Sequence, residues 1–296
     1  MKKLLFIINP RAGKTKSREP LFDAASVFCE AGYLVNIQRT TARGDATLLA
    51  RELGAEYDVV ACYGGDGTLN ETLNGLMHLP REKRPPVCYL PGGSTNDFAA
   101  SLGISSDPVE AAHSAMRLHP LTIDVGRFGE RWFSYVASFG AFTRTSYSVS
   151  QDAKNMLGHL AYLLGGAKDL ETLHPYRMKL TADGETIEGE FIFGAVSNST
   201  SIAGLMKLTG EQVSFSDGVF ELMLVPVPRT PAALQSLIFT LMNQSYEDSE
   251  SVIFRHIRHV VAETAENIPW TLDGEYAPSV PRVELSVEEH GLTLLL

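Results

Sequence analysis

The sequence predicts an α/β domain followed by a β-rich domain, and two observations support this. Over residues 1–125, apolar strand-like runs alternate with segments of helical periodicity, a pattern typical of a parallel sheet covered by helices on both faces. From residue 126 onward, most of the chain consists of strand-like segments separated by turn residues, which is typical of an antiparallel sandwich or barrel. We therefore expect a first domain of residues 1–125 and a second of residues 126–287, and we expect the last strand, about 288–296, to return to the first domain.

The first domain is built from short β-α-β units. The run LLFIIN is apolar except for its last residue, as expected of a strand buried on both faces. Leu21, Ala24, Ala25 and Phe28 share one face of the first helix, and Gly54 ends the second. The predicted strands are 4–9, 33–40, 57–65 and 86–93, and the predicted helices are 18–31, 44–54, 67–78, 95–103 and 108–118.

The second domain begins with LTIDVGRFGERWFSYVASFG, which predicts two strands around a turn at Gly129. A helix is expected at 152–172 and another at 231–242, where proline occupies the first helical position. Within IPWTLDGEY, the pair Asp273-Gly274 predicts a strand that is interrupted at this point. The strands expected in this domain are 176–184, 185–199, 217–227, 259–266, 268–276 and 282–296.

Composition and charge narrow the class of protein. Hydrophobic residues make up 44% of the chain and charged residues 20%, the ordinary balance of a globular protein. The net charge of −10 argues against a nucleic-acid binder, because such a protein needs a basic face. The three cysteines lack disulfide or metal-site spacing, which is typical of a reducing, cytoplasmic setting. No segment approaches the ~20 apolar residues that span a bilayer, so we expect any membrane contact to be peripheral.

The stretch NPRAGKT after the first strand ends like a phosphate-binding P-loop. A P-loop begins with glycine so that successive amides can curl around a phosphate, but Ile8 occupies that position here. Pro10 also removes an amide donor. We therefore interpret the stretch as a polar turn, which leaves Asn9, Gly13 and Lys14 at the carboxyl end of a strand, where α/β sheets bind ligands.

The most informative stretch is YGGDGTLNETLNG, which lies between a buried strand and a helix. Gly64, Gly65 and Gly67 let the backbone approach a ligand closely, and the helix N-terminus that follows attracts phosphate. Asp66 would repel phosphate unless a cation lay between them, so the stretch predicts Mg²⁺. The structural alternative, a tight turn with an aspartate cap, accounts for only part of this glycine block.

The stretch PGGSTNDFA repeats this arrangement after the next strand. Ser94 and Thr95 add hydroxyls, and Asp97 adds a second carboxylate. On its own, Asp97 is best explained as a helix cap. Because the carboxyl ends of neighbouring parallel strands meet at one edge of a sheet, the two stretches together indicate one shared cleft.

Taken together, NPRAG, GGDGTLNE and PGGSTNDFA resemble, in order and spacing, the motifs of the diacylglycerol kinase catalytic family. TIDVGRFG, FSDGVFEL and LDGEY are similar to later motifs of its bacterial branch, so the resemblance covers essentially the whole chain. It implies a first domain like that of NAD kinase, an antiparallel β-sandwich-like second domain and an active-site cleft between them. It also implies an ATP-dependent lipid kinase that uses Mg²⁺ and phosphorylates a lipid alcohol such as diacylglycerol at the membrane surface.

The resemblance assigns roles to individual residues. Glu275 matches the general base, and the carboxylates that would organise Mg²⁺ and water are Asp66, Asp97 and Asp124. The residues that match a separate structural Mg²⁺ site, partly through main-chain carbonyls, are Ser214, Asp217 and Val219. The residues that match the ATP site are Asn9, Pro10, Arg11, Ala12, Gly13, Thr40, Gly64, Gly65, Asp66, Gly67, Thr68, Leu69, Asn70, Ser94 and Thr95. Ser94 stands where the family usually has threonine, a change that keeps the hydroxyl.

Lys14, Lys16 and Arg18 form a basic group beside the expected site on an otherwise acidic protein. Such a group predicts peripheral contact with an anionic membrane, although a solvated surface is the simpler interpretation. Because bacterial members of the family are often dimers, the resemblance also suggests a homodimer.

Two alternatives to a lipid kinase remain open. NAD kinases share the GGDG core, but the chain has no second motif for an adenosine ribose, and LDGEY is not part of their pattern. The other alternative is a catalytically silent regulator that binds a nucleotide or a lipid. The presence of Asp66, Asp97, Asp124 and Glu275 weighs against that alternative.

Overall fold

The structure, a computed structural model, describes residues 1–12, 19–93, 96–117, 119–140, 174–202, 206–208, 213–247, 249–278 and 280–296. The helix predicted at 152–172 lies outside the described residues. The chain divides into two compact units: a first unit of Met1–Val125, Arg131–Ser134 and Glu288–Leu296, and a second unit of Gly126–Glu130 and Tyr135–Val287.

The secondary structure of the described residues alternates at first and is then dominated by strands. The strands are β1 (Lys2–Ile8), β2 (Tyr33–Arg39), β3 (Val59–Gly64), β4 (Val87–Pro91), β5 (Pro120–Phe128), β6 (Arg131–Phe133), β7 (Val136–Gly140), β8 (Tyr176–Ala182), β9 (Glu185–Ser197), β10 (Ser201–Ile202), β11 (Met206–Lys207), β12 (Phe220–Pro226), β13 (Ile253–Ile257), β14 (His259–Thr264), β15 (Trp270–Leu272), β16 (Glu275–Ala277) and β17 (Arg282–Leu295). The α-helices are α1 (Glu19–Glu30), α2 (Asp45–Leu53), α3 (Asp66–Met77), α4 (Asp97–Ser101), α5 (Pro108–Met116) and α6 (Pro231–Asn243).

The first unit is organised around a parallel sheet. β2, β1, β3 and β4 lie side by side in that order. The end of β17 adds a further parallel strand beside β4, through Leu294 and Leu295. Consecutive residues of β1, such as Leu4 and Leu5, point to opposite faces of the sheet, and both are fully buried because helices cover both faces. The α/β fold predicted for this part of the chain is confirmed.

The helices α2 and α3 pack directly on each other. Gly75 in α3 makes the close approach possible, because a Cβ atom there would lie 2.4 Å from the carbonyl oxygen of Thr47 and 2.7 Å from the Cβ of Ala50. A larger residue would have to push the two helices apart.

The N-terminus of α2 is capped from α3. The N-cap residue Gly44 has a left-handed φ of 89° and no side chain to accept a hydrogen bond. The Glu71 carboxylate replaces that cap, accepting hydrogen bonds from the amides of Gly44 at 2.8 Å and Ala46 at 3.3 Å. The glutamate of GGDGTLNE therefore stabilises the start of the neighbouring helix.

The second unit is mainly antiparallel. Its long strand β9 pairs with β8 along its first half and with β12 and β7 along its second half. β13 pairs with β12, and β14 joins β8 to the first part of β17. β15 pairs with β7 and β16, so a continuous ladder runs from β16 through β7 and β9. The β-rich fold predicted for the second domain is confirmed.

The stretch 121–140 forms three strands where the sequence predicted two. The predicted second strand is divided at Ser134 and Tyr135 into β6 and β7. The backbone of Tyr135 forms hydrogen bonds with distant parts of the chain. Its amide donates to Asp273 Oδ1 at 3.0 Å, and its carbonyl accepts from the amide of Asn198 at 2.9 Å. These contacts are made by residues far away in sequence, which the local pattern does not reveal.

The stretch LDGEY forms a hairpin, and the prediction of one interrupted strand was wrong. Asp273 and Gly274 both have positive φ, 49° and 81°, and lie between the paired residues Leu272 and Glu275. A two-residue loop with positive φ at both positions is a type I′ turn, which reverses the chain and matches the twist of the flanking strands. The strand β13 was also missed, because its charged residues mask the alternation of IFRHI.

Candidate active site

The carboxyl ends of four strands meet at one edge of the sheet in the first unit. Parallel strands bring their ends to the same edge, so the turns after β2, β1, β3 and β4 become neighbours. Three backbone hydrogen bonds join these turns: Thr40 amide to Ile8 carbonyl at 2.9 Å, Asn9 amide to Tyr63 carbonyl at 2.9 Å, and Gly92 amide to Gly64 carbonyl at 2.7 Å. The predicted site residues that the structure describes on these four turns are therefore brought together.

Asn9 organises the turn after β1. Its side-chain oxygen accepts a hydrogen bond from the Arg11 amide at 3.0 Å, and its Nδ2 donates to the Thr68 hydroxyl of α3 at 3.0 Å. Pro10 and Arg11 are exposed, and Ala12 is half-buried. Gly13 lies outside the described residues, as do the three basic side chains of the predicted membrane contact, Lys14, Lys16 and Arg18.

One glycine pair, Gly65 and Gly93, is required by contact between two turns, because a Cβ atom on Gly93 would lie 2.6 Å from the Cα of Gly65. Gly64 is required by the start of α3, because a Cβ there would lie 2.3 Å from the Thr68 hydroxyl oxygen. The sequence pattern attributed these glycines to the approach of a ligand. The structure adds a second reason, which is that the GGDG and GGSTND turns pack backbone against backbone.

Two of the predicted aspartates, Asp66 and Asp97, are in contact. Asp66 is the first residue of α3, and its Oδ2 accepts a hydrogen bond from the Asp97 amide at 3.2 Å. Burial raises the pKa of the nearby Tyr89 hydroxyl, and the negative charges of Asp66 and Asp97 add to that rise. Carboxylate oxygens suit Mg²⁺, and the N-terminus of α3 favours an anion, so this donor set fits a metal–phosphate group.

Asn96 fixes the turn that leads into Asp97. It has a left-handed φ of 53°, and its Oδ1 accepts a hydrogen bond from the Gly93 amide at 2.9 Å while its Nδ2 donates to the Gly93 carbonyl at 3.0 Å. Asparagine tolerates this backbone conformation better than most residues. Ser94 and Thr95, which lie between these two residues in sequence, are outside the described residues.

Three residues predicted to line the ATP site are largely buried. Thr40 is 7% exposed and its hydroxyl donates to the Ile8 carbonyl at 3.4 Å. Leu69 is 1% exposed, and Asn70 is 3% exposed and donates to the Trp132 carbonyl at 3.1 Å. The side chains of Leu69 and Asn70 therefore support α3 from within, while the exposed part of its first turn is formed by Gly65, Asp66 and Gly67.

The third predicted carboxylate, Asp124, is bound to the last strand. It is fully buried in β5, and its Oδ1 accepts a hydrogen bond from the His290 amide at 2.7 Å. His290 has a left-handed φ of 51° within the continuous strand β17. Asp124 thus stabilises the return of β17 to the first unit.

Glu275, the predicted base, belongs to the second unit and is half-buried. It directly follows the turn formed by Asp273 and Gly274. Asp273 is 2% exposed, and its Oδ1 accepts hydrogen bonds from the amides of Tyr135 at 3.0 Å and Val136 at 3.1 Å. The strand that carries Glu275 is therefore fastened to the start of β7.

The predicted structural metal site lies on one short loop of the second unit. Asp217 Oδ1 accepts a hydrogen bond from the Val219 amide at 3.2 Å, and Ser214 is exposed three residues earlier. Glu221 follows in β12 and is 1% exposed. Burial raises the pKa of its carboxyl to about 8, and the negative charge of Asp217 adds to the rise.

Four residues that support the candidate site or the predicted metal loop were not identified from the sequence. Glu221 could have been found as a lone charge within the apolar run FELMLV, and Asp273 as the first residue of an Asp-Gly turn signal. Tyr89 and the capping role of Glu71 had no local signal, because both depend on contacts between strands or helices that are distant in sequence.

Two family models match the chain. Residues 3–128 match the model described as the diacylglycerol kinase catalytic domain. Residues 136–296 match the model described as the YegS C-terminal NAD kinase beta sandwich-like domain.

Similar proteins cover nearly the whole length. A diacylglycerol kinase of Bacillus subtilis (strain 168) is 32% identical over 292 residues, which are 98% of this chain and 95% of that protein. A diacylglycerol kinase of Staphylococcus carnosus (strain TM300) is 30% identical over 291 residues, 98% of this chain and 94% of that protein. A crystal structure of a diacylglycerol kinase from Bacillus anthracis str. Sterne is similar with a TM-score of 0.78 and 26% identity, covering 99% of this chain and 96% of that one.

Proposed function

Since the chain belongs to the diacylglycerol kinase catalytic-domain family and is a lipid kinase, we propose that it transfers a phosphoryl group from Mg-ATP to the hydroxyl of a lipid alcohol such as diacylglycerol. The observation that carries this proposal is the hydrogen bond from the Asp97 amide to Asp66 Oδ2. It joins the two motif turns at the N-terminus of α3, where a nucleotide phosphate is favoured.

The residues of the first unit bind and orient the nucleotide in this proposal. The turns after β1, β3 and β4 hold the phosphates, with the amides at the start of α3 facing them. Asp66 and Asp97 hold Mg²⁺ through carboxylate oxygens. When bound, Mg²⁺ neutralises negative charge that spreads over the transferred group.

The second unit supplies the base in this proposal. Glu275 accepts the proton from the acceptor hydroxyl, whose oxygen forms a bond to the γ-phosphorus of ATP. The bond between the γ-phosphorus and the β,γ-bridging oxygen breaks, and ADP leaves with that electron pair. A carboxylate is a reasonable base for this step if it lies within hydrogen-bond distance of the hydroxyl.

Contact with the membrane is expected to be peripheral. No helix in the described part of the chain is long and apolar enough to cross a bilayer. A lipid acceptor must then be reached at the bilayer surface, and we propose that the basic group Lys14, Lys16 and Arg18 contacts anionic headgroups there.

The proposal is tested by incubating the protein with γ-labelled ATP and Mg²⁺ in three parallel reactions, which contain diacylglycerol in mixed vesicles, a total lipid extract, or NAD. Labelled phosphatidic acid is the expected product of the first reaction. Label in NADP instead would support the NAD kinase alternative. Absence of label from every acceptor, in a protein that still binds ATP, would support the silent regulator.

The variant Asp66→Asn tests the role of the Asp66 carboxylate in the same assay. Asparagine keeps an acceptor for the Asp97 amide but removes the charge that holds Mg²⁺, so we expect kcat to fall by roughly 10²-fold or more. Asp23→Asn, on an exposed position of α1, is the matched control and should leave kcat unchanged. Near-normal turnover of folded Asp66→Asn protein would contradict the assignment.

A further inference from the structure

The loop before β12 holds one carboxylate in a fixed position. Gly218 has a φ of 77°, a conformation that residues with a side chain rarely adopt. The Asp217 carboxylate accepts a hydrogen bond from the Val219 amide within this turn. Asn198 Nδ2 donates to the Phe215 carbonyl at 3.3 Å, which fastens the loop to the end of β9. The loop is therefore ordered before any ligand arrives.

Glu221 is a buried carboxylate that forms no ion pair with any residue described by the structure. It is 1% exposed, and its Oε2 atom has no hydrogen-bond partner among the described residues. The Asp217 carboxylate lies close enough to repel it. Its neighbour in register on β9, Ser197, already donates its hydroxyl to the Tyr135 carbonyl at 3.0 Å. In such surroundings a carboxylate stays ionised only where a positive charge or a donor compensates it.

We propose that Glu221 is the second carboxylate of a divalent-cation site, together with Asp217 and the main-chain oxygens of the Ser214–Val219 segment. This inference rests on the structural Mg²⁺ site that the family resemblance predicts at Ser214, Asp217 and Val219, and adds to it a residue from β12. The exposed Asp217 gives the cation access from solvent, and Glu221 holds it from the inner side. The donors are all oxygen atoms, a set that suits hard cations such as Mg²⁺, Mn²⁺ or Ca²⁺.

Cation binding without nucleotide tests this proposal. Free Mn²⁺ is counted by electron paramagnetic resonance in an Asp66→Asn background, which removes metal binding at Asp66 and Asp97 of the first unit. Glu221→Gln keeps the shape of the side chain and should fold, and we expect it to bind Mn²⁺ about 10- to 100-fold more weakly than the background protein. Its melting temperature should also cease to rise with Mg²⁺. Glu188→Gln, an exposed position of β9, is the matched control and should bind as the background does.

The variant Asp217→Asn separates failure of this inference from failure of the loop site itself. Weaker Mn²⁺ binding in both variants supports the inference. Loss of binding in Asp217→Asn alone, with Glu221→Gln within twofold of the background, overturns it and leaves the loop site standing. Unchanged binding in both variants overturns the loop site as well. The proposed function is tested in a separate experiment, the phosphoryl-transfer assay with Mg-ATP and lipid. Its failure can therefore be distinguished from failure of this inference.

Discussion

Glu275 directly follows a turn that Asp273 fastens to the amides of Tyr135 and Val136. A catalytic base needs such support, because it must meet a hydroxyl at hydrogen-bond distance. Glu275→Gln keeps the shape and the hydrogen-bonding capacity of the side chain but cannot accept a proton. We expect kcat to fall by about 10²–10⁴-fold, with ATP affinity nearly unchanged. Steady-state kinetics and calorimetric titration of ATP measure the two quantities.

The exposed Glu188 of the same unit offers a control for Glu275, and Glu188→Gln should leave both quantities unchanged. If Glu275→Gln lowers ATP affinity while kcat is retained, Glu275 acts on the nucleotide. If neither kcat nor ATP affinity changes, Glu275 has only a structural role in the hairpin.

Single residues differ in how far the sequence could predict their surroundings. The proximity of Asp66 and Asp97 followed from parallel topology, because both lie just after neighbouring strands. The contact between Asp124 and the His290 amide spans 166 residues of sequence, and no local pattern encodes it. The burial of Glu221 depends on what covers its face of β12, which a single charged residue in an apolar strand does not specify.

At the level of elements, the packing of α2 on α3 depends on Gly75. Gly75→Ala places a methyl group against the Thr47 carbonyl and the Ala50 side chain. Overpacking of this kind costs about 1–3 kcal/mol, partly offset by the better helix propensity of alanine. We expect a lower urea midpoint with an unchanged m-value. Stability equal to or above that of the parent protein would show that α2 can move away at no cost.

The turn between β2 and α2 is expected to respond to pH. Asp45 Oδ2 accepts hydrogen bonds from the Thr41 hydroxyl and amide, both at 2.7 Å, and from the Ala42 amide at 2.9 Å. These bonds, that of the hydroxyl above all, hold the pKa of Asp45 below its ordinary value. Because the pKa of Asp45 is lower in the folded state, its charged carboxylate stabilises the protein at pH values above the unfolded-state pKa. This stabilisation is lost as the pH falls through the folded-state pKa.

The variant Asp45→Asn measures this contribution, because its side chain does not titrate. We expect the difference in melting temperature between the parent protein and Asp45→Asn to be constant near neutral pH and to shrink below about pH 4. A difference that stays the same down to pH 3 would mean that the Asp45 charge does not stabilise the turn.

The elements of the first unit were predictable because strands buried on both faces read as continuous apolar runs, such as LLFII in β1. The elements of the second unit were less predictable from the sequence. The division between β6 and β7 is set by the partners of Tyr135, and β13 carries two exposed charged or polar residues on a short strand. The hairpin at LDGEY had a recognisable Asp-Gly signal, which was interpreted as an interruption instead of a reversal.

For the whole molecule, whose net charge is −10, we expect anionic lipid to bind at the basic group Lys14, Lys16 and Arg18. We expect activity on diacylglycerol vesicles to rise with the fraction of anionic lipid and to fall with added salt. Replacing all three residues with glutamine should weaken vesicle binding by at least about tenfold, given about 1 kcal/mol for each basic residue. Vesicle sedimentation measures the binding.

The control for the basic group is a triple glutamine variant of Arg51, Lys83 and Arg117, which are exposed elsewhere on the first unit. It changes the net charge equally and should bind vesicles nearly as the parent protein does. Equal losses in the two triple variants would mean that only the overall charge matters.

The pairing of β4 with the end of β17 has a consequence for protein synthesis. Val87 and Cys88 leave the ribosome long before Leu294 and Leu295, the residues with which they pair. Until then one edge of β4 remains an unpaired apolar edge, the kind of surface on which nascent chains associate wrongly. We therefore expect the sheet of the first unit to be completed only once the end of β17 has left the ribosome.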